Sequence, residues 1–293
     1  MTDILIATTI APRNIPLQQG AINTWIDYGF KVVAINTEPE INIIKPHFPD
    51  VEFYRVKPTT ETNGNRILIG FDEVLTCLKK GDTEICGIVN SDISLHSKTD
   101  FISLIRNEAK DALIFGSRID TDTTEDRKGI AFEKGYDYFF LNKDMLNIYP
   151  PSSFHIGAPW WDIWAALLPM LMGYNVKKLL TPIAYHVKHE TIWGDEWNHY
   201  ATHLAHLLLN FSKTNQANMS GNSNNQWSQL CQTILQGALA QNELLNLKNN
   251  KQGQTNSQTT QHFQIFFLNM LSTFLPQFIN QASMNISSIE PGD

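Results

Sequence analysis

The run Ile85-Cys86-Gly87-Ile88-Val89 is apolar at every position and breaks off at Asn90-Ser91-Asp92. An uninterrupted run of that length, rich in Ile and Val, reads as a strand buried on both faces. Such a strand needs a sheet flanked by helices, which points the chain to an α/β architecture. The polar triplet then falls at the strand's carboxyl end, where open α/β sheets place their ligands and where a metal or a phosphate would sit. Asn, Ser and Asp also turn chains and cap helices, so the triplet alone leaves both roles open.

The flanking segments alternate as an α/β domain with a mainly parallel sheet requires. Ile4 to Thr9 reads as a first strand. Pro16 to Tyr28 reads as a helix, with Leu17, Ala21, Trp25 and Tyr28 on one face and Gly29 at its end. Lys31 to Ile35 and Val51 to Val56 are further strands, Arg66 to Leu78 a helix, Asp100 to Ala109 another helix and Ala112 to Phe115 a fifth strand. From Thr121 to Lys134 periodicity is lost among charged and small residues, the pattern of a lid, a binding loop or disorder. Tyr136 to Leu141 restores a strand. Trp160 to Met172 reads as a buried helix that Pro169 kinks or ends, and Leu179 to Tyr185 as an extended segment.

The expected division is one domain over residues 1–212 and an appended helical region over 213–293, where two Asn/Gln/Ser/Thr-rich stretches, 213–226 and 249–261, bracket an amphipathic helix. A net charge of −7 offers nucleic acid and anionic lipid no general attraction. The three cysteines lie in apolar segments without metal spacing, as core residues of a reducing compartment do, and no leader is recognisable, so a cytoplasmic location is expected. The apolar stretch from Phe263 to Ile279 is interrupted by polar residues and is shorter than the ~20 residues a span needs. A transmembrane segment is not expected, while peripheral membrane contact stays open.

Several separated motifs resemble those of the GT-A-type glycosyltransferases in the nucleotide-diphospho-sugar transferase superfamily. They are Gln18-Gln19-Gly20-Ala21-Ile22-Asn23-Thr24-Trp25, Val33-Ala34-Ile35-Asn36-Thr37-Glu38, Val89-Asn90-Ser91-Asp92-Ile93, Gly135-Tyr136-Asp137-Tyr138-Phe139-Phe140, Phe154-His155-Ile156-Gly157, Trp161-Asp162-Ile163-Trp164 and His186-Val187-Lys188-His189. The resemblance covers residues 3–200. It implies a GT-A-like, Rossmann-like sheet and an enzyme that moves a sugar from a nucleotide-diphosphate donor to a hydroxyl of a glycan or other acceptor.

In that family an Asp-x-Asp element holds a divalent cation against the donor's diphosphate. Here Asn90 occupies the first acidic position, and Asp92 remains as a hard oxygen ligand suited to Mn²⁺ or Mg²⁺. The resemblance raises His186 and His189 as further metal or diphosphate ligands. It assigns Asp162, set among tryptophans, as the general base that takes the acceptor's proton, which implies inversion at the anomeric carbon. A first-turn acid favoured by the helix dipole is the alternative role for Asp162. Donor contacts are expected from Thr8, Thr9 and Arg13 after the first strand, Asn36 and Glu38 after the second, Arg66 toward the diphosphate, and Asn90 and Ser91. His199, His203 and His206 lie on or beside the polar face of an amphipathic helix and read as solvated.

Two other functions share this outline. A sugar nucleotidyltransferase would carry a glycine-rich basic loop after the first strand, and Ile10-Ala11-Pro12-Arg13-Asn14-Ile15-Pro16 has no glycine. A non-catalytic sugar-nucleotide or glycan-binding module would suit Asn90 in place of an acid.

Overall fold

The computed structural model describes residues 4–57, 60–61, 67–97, 100–189, 196–214 and 271–286. Contacts divide the chain into two compact units, Met1–Ile192 with Gln277–Asp293, and Trp193–Pro276.

The first unit is built on a ten-stranded, mainly parallel sheet. Its strands are β1 (Ile4–Thr8), β2 (Lys31–Thr37), β3 (Glu52–Val56), β6 (Ile85–Val89), β7 (Ile93–Leu95), β8 (Ala112–Thr121), β9 (Ile130–Phe132), β10 (Tyr138–Asn142), β11 (Asn175–Val187) and β12 (Met284–Ile286). They run in the order β12-β11-β8-β10-β6-β1-β2-β3, with β7 on β11 and β9 on β8. The antiparallel insertion of β10 between β6 and β8 interrupts two otherwise parallel blocks. A separate two-stranded ribbon pairs β4 (Thr60–Glu61) with β5 (Ile67–Leu68).

Every residue of β1 and β6 is buried, as their unbroken apolar runs predict. Gly87 in β6 admits the ring of Phe140 from β10, because a Cβ there would lie 2.8 Å from that ring. Phe140 stacks on Phe30 at 5.6 Å and meets Phe101 edge-on at 5.8 Å, joining the helix layer to the middle of the sheet.

Helix α1 (Ile15–Asp27) buries Ala21, Ile22 and Trp25 and leaves its other face to solvent. It also grips the strand after the triplet. Trp25 Nε1 donates to the Ile93 carbonyl at 2.7 Å, Thr24 Oγ1 accepts from Leu95 N at 2.9 Å, and the Tyr28 hydroxyl bonds Ser97 N and O at 2.6 and 2.8 Å. These bonds fix where the Asn-Ser-Asp corner ends.

Helices α2 (Glu38–Ile44), α3 (Phe71–Lys80), α4 (Phe101–Glu108) and α5 (Trp161–Leu171) complete the layers of this unit. The helix expected from Arg66 starts later, at Phe71. Ile67 and Leu68 pair with β4, Gly70 bridges His155, and Phe71 N donates to the Phe154 carbonyl at 2.8 Å, so the backbone there is committed to other partners. The strand expected to end at Phe115 continues to Thr121, and the segment expected to lack structure contains β9, which folds back on β8. Pro169 stands inside α5, which continues to Leu171.

In the second unit, α6 (Glu196–Thr214) buries Tyr200, Ala201, Leu204, Ala205 and Leu208. His199 and His206 are exposed and His203 is half-buried, as a polar helix face requires. Lys213 and Thr214, expected to open the first Asn/Gln-rich stretch, are the last residues of α6, and the rest of that stretch, the second stretch and the helix expected between them lie outside the described residues. Residues 271–282 are helical, and β12 then joins β11 in parallel, so the chain's last described residues return to the sheet of the first unit. Among the described residues no helix is long and apolar enough to cross a membrane.

Candidate active site

The end of β6 delivers three polar side chains to different tasks. Asn90 turns toward β10, where its Nδ2 donates to Asp137 Oδ1 at 2.8 Å and its backbone N to the Asp137 carbonyl at 2.9 Å. Ser91 donates to Gln18 Oε1 at 2.8 Å. The Gln18 amide also donates to the carbonyls of Ala11 and Arg13, so Ser91 is tied to the loop after β1. Asp92 faces the end of β11.

There Asp92 Oδ2 lies 3.6 Å from His186 Nε2 and 3.5 Å from His189 Nε2, and one ligand atom from each of the three residues falls within 4.8 Å of the others. Both separations are long for hydrogen bonds. Two donors bound ~2.1 Å from one ion lie about 3.0–3.4 Å apart, so the two Asp92–histidine separations are near that spacing while the set as a whole, spread over 4.8 Å, would have to draw in around an ion. One carboxylate and two imidazoles also suit a divalent cation that keeps open positions for phosphate oxygens or water. Burial acts to raise the Asp92 carboxyl, yet the two imidazoles, when they present protons to it, outweigh burial and hold it well below the usual carboxylate range. The three residues form a candidate cation site.

Behind the cluster runs a chain of ion pairs. His186 Nδ1 contacts Asp120 Oδ1 at 3.0 Å, and Arg118 Nε donates to that oxygen at 2.8 Å. Arg118 Nη1 donates to Asp137 Oδ2 at 2.8 Å, and the guanidinium lies over the Phe132 ring at 4.3 Å. Both partner carboxylates raise the Arg118 pKa against the cost of its burial. Asp137 thereby joins Arg118 to Asn90.

Asp162 stands beyond Asp137, in the first turn of α5. The residue before the helix, Trp160, is buried at φ 77°, a conformation costly for a bulky side chain and one that collects at functional sites. Asp162 Oδ2 accepts from Tyr136 N at 2.8 Å, and a Cβ on Gly135 would lie 2.9 Å from the same oxygen, so glycine is needed for this approach. Removal from water raises the Asp162 carboxyl to about 6, with the Asp137 carboxylate adding to the rise and backbone N–H groups opposing it.

The remaining expected donor residues are placed unevenly. Asn36 is buried with its amide bonded to Ile10 N and O and to Glu40, so it braces the loop after β1 from within. Glu38 points to solvent and pairs with Arg55 at 3.0 Å, with both side chains about two-thirds exposed, at 65% and 66%. The Thr8 hydroxyl is buried at the end of β1 and makes no hydrogen bond among the described residues. Thr9 is half-buried and Arg13 exposed beside it, and Arg66 lies outside the described residues. On the α1 side of Asp92 a cleft of about 420 Å³ opens, lined by Leu17, Thr24, His96, Arg127 and Tyr185 among others. Burial, aided by Arg127, pushes the His96 imidazole down to about 4, which keeps it neutral there.

Sequence reasoning did not find Arg118 and Asp120, and it quoted Asp137 without giving it a task. The polar-apolar alternation of Arg118-Ile119-Asp120-Thr121 was the available signal for a strand that continues past Phe115.

No protein-family model matches the chain, and no curated protein matches it. Among solved structures, residues 1–349 of TarS from S. aureus align over 97% of this chain and 84% of that one, at 10% identity and a TM-score of 0.50. The chain shares the GT-A-like α/β fold of that structure. A TarS structure in complex with UDP-GlcNAc aligns over 97% of this chain and 93% of that one, at 11% identity and a TM-score of 0.47. The 4-diphosphocytidyl-2C-methyl-D-erythritol synthase of Anaerococcus prevotii aligns over 60% of this chain and 86% of that one, at 14% identity and a TM-score of 0.40. Within this fold Asp92 lies beyond the carboxyl end of central strand β6, and Asp162 stands in the first turn of α5.

Proposed function

We propose that the protein is a glycosyltransferase that moves a sugar from a nucleotide-diphosphate donor to an acceptor hydroxyl, with inversion at the anomeric carbon. The observation that carries this reading is the pairing of two unlike carboxylate environments, Asp92 between two imidazoles and Asp162 desolvated and raised to about 6. Asp92, His186 and His189 would hold Mn²⁺ or Mg²⁺, which when bound would offset the charge of the donor's diphosphate. Asp162 receives the proton of the acceptor hydroxyl as its oxygen bonds to the anomeric carbon and the bond to the diphosphate oxygen breaks. The nucleoside diphosphate leaves with that electron pair. A base whose pKa lies near 6 accepts the proton readily and is still deprotonated at pH 7. Thr8, Thr9, Arg13, Asn90 and Ser91 would contact the donor from the ends of β1 and β6, with Asn36 bracing the loop after β1 and Glu38 contributing only if it leaves Arg55.

The test is to incubate the protein with Mn²⁺, a panel of nucleotide-diphosphate sugars and hydroxyl acceptors, and to measure nucleoside diphosphate release. Acceptor-dependent release that Asp162→Asn abolishes is the expected result. Pyrophosphate release from a nucleoside triphosphate and a sugar phosphate, without transfer, would identify a nucleotidyltransferase instead. Donor binding with neither reaction would identify a binding module.

A further inference from the structure

His186 reaches the metal-facing cluster through one ring nitrogen only, and what holds the other nitrogen decides what the first can do. Its Nδ1 lies 3.0 Å from Asp120 Oδ1, an oxygen that already accepts from Arg118 Nε at 2.8 Å. A carboxylate oxygen offers only lone pairs, so an unprotonated Nδ1 at that distance would set lone pair against lone pair. Nε2 also faces a carboxylate, but at 3.6 Å from Asp92 Oδ2, beyond hydrogen-bond distance, so in the neutral ring the 3.0 Å contact takes the proton on Nδ1 and leaves the Nε2 lone pair directed at the cluster. His186 is 5% exposed, so water does not compete for Nδ1.

Asp120 is itself held. Arg118 bonds Asp120 with Nε and Asp137 with Nη1, and the Asp137 carboxylate accepts from Asn90 as well. The chain from His186 to Asn90 therefore consists of buried or half-buried groups with bonds of 2.8 to 3.0 Å.

We propose that Asp120 is a positioning residue that fixes His186 as the Nδ1–H tautomer and so makes Nε2 a cation ligand, with Arg118 locking Asp120 to Asp137. Asp120 is not one of the three clustered residues; it acts through His186. The same lock turns Asn90 away from Asp92 and toward Asp137. Loss of a group that orients a metal-bound histidine typically costs about 10–100-fold in metal affinity. The proposal rests on the assignment of Asp92, His186 and His189 as cation ligands only where affinity is concerned; the tautomer is a property of the protein without metal.

The experiment uses the full chain labelled with ¹⁵N-histidine, free of metal and at a pH where imidazoles are neutral, with His186→Gln to assign the signal. The expected spectrum has the His186 proton on Nδ1, and in Asp120→Asn that preference is lost or reversed. A wild-type His186 with its proton on Nε2 would overturn the proposal whether or not any variant folds. Mn²⁺ titration followed by electron paramagnetic resonance should show about 10–100-fold weaker binding in Asp120→Asn, and a smaller loss in Arg118→Lys. Unchanged tautomer and unchanged Mn²⁺ affinity in a folded Asp120→Asn would also overturn it. Wild-type protein that shows the Nδ1–H tautomer but binds no Mn²⁺ would refute the cation reading of the cluster and the ligand role of Nε2, while leaving the Asp120–His186 lock intact.

Discussion

Asp92 and Asp162 carry the same side chain on either side of the Asp120–Arg118–Asp137 ion pairs, and their surroundings drive them in opposite directions. Asp92 lies between His186 and His189, whose imidazoles, when they present protons to it, hold its carboxyl well below the usual range despite burial. Asp162 has backbone N–H groups as partners and the Asp137 carboxylate nearby, and removal from water raises it to about 6. One is suited to remain an anion and bind positive charge, the other to take up a proton near neutral pH. Arg118 bonds Asp120 and Asp137 at 2.8 Å, so one guanidinium connects the carboxylate behind His186 with the carboxylate that adds to the rise of Asp162. Two carboxylates acquire opposite ionisation behaviour from environment alone.

The largest expected effect breaks the Asp162 side of this comparison. Asp162→Asn keeps the shape and the acceptor for Tyr136 N but cannot take a proton, so transfer should fall by ~10²–10⁴-fold. Melting temperature and donor affinity should stay near wild type. Wild-type transfer by the folded variant would remove Asp162 as the base.

On the Asp92 side the readout is metal dependence. A nucleoside diphosphate at ~100 times its Kd should stabilise the wild-type protein by about 2.7 kcal/mol, the linkage expected of a bound ligand. That shift should be larger with Mn²⁺ than with EDTA, and Asp92→Ala should abolish the difference. Equal shifts in the presence and absence of metal would exclude Asp92 as a ligand.

Asn90→Asp tests the middle of the network. It would restore the acid of an Asp-x-Asp element but place a second carboxylate where the amide now donates to Asp137 Oδ1 at 2.8 Å. Losing a hydrogen bond to a charged partner should cost about 1–3 kcal/mol in urea unfolding. Asp137→Asn in the same chain should recover part of that loss, with an interaction energy of ~0.5–3 kcal/mol in the double-mutant cycle. An Asn90→Asp protein as stable as wild type would show that the Asn90–Asp137 contact is not maintained in solution.

The smallest effect is a change in pH dependence. The folded Asp162 carboxyl titrates at about 6, above its ordinary value of 3.8, so the folded state keeps a proton that the unfolded chain releases. Its contribution to stability is therefore complete below that ordinary value and is lost as pH rises through 6. Asp162→Asn removes this loss, and its stability relative to wild type should improve between pH 5 and pH 7.5. A constant difference between the two proteins across that range would show that Asp162 is not shifted.

How much of this was legible in the sequence follows from how local each contact is. The apolar run of β6, the 3.6-residue stripe of α1 and the acidic first turn of α5 are properties of contiguous residues, and each appears close to where it was expected. Asp92, His186 and His189 could be named from motifs, and the fold brings them together. Arg118, Asp120 and Asp137 could not be joined this way. Arg118 pairs with Asp137 across 19 residues and Asp120 with His186 across 66, through strands whose neighbours are set by sheet order. The late start of α3 has the same cause, since Gly70 and Phe71 bond to residues near 155.

The sequence by itself determined the α/β class, the strand that ends in Asn-Ser-Asp and the identities of the titratable groups, because periodicity and side-chain chemistry are local. Tertiary structure decided which carboxylate is held low and which is raised, and which nitrogen of His186 faces Asp92. Those outcomes depend on desolvation and on partners far apart in the chain, and both exist only once β10 has inserted between β6 and β8 and β11 has paired with β8.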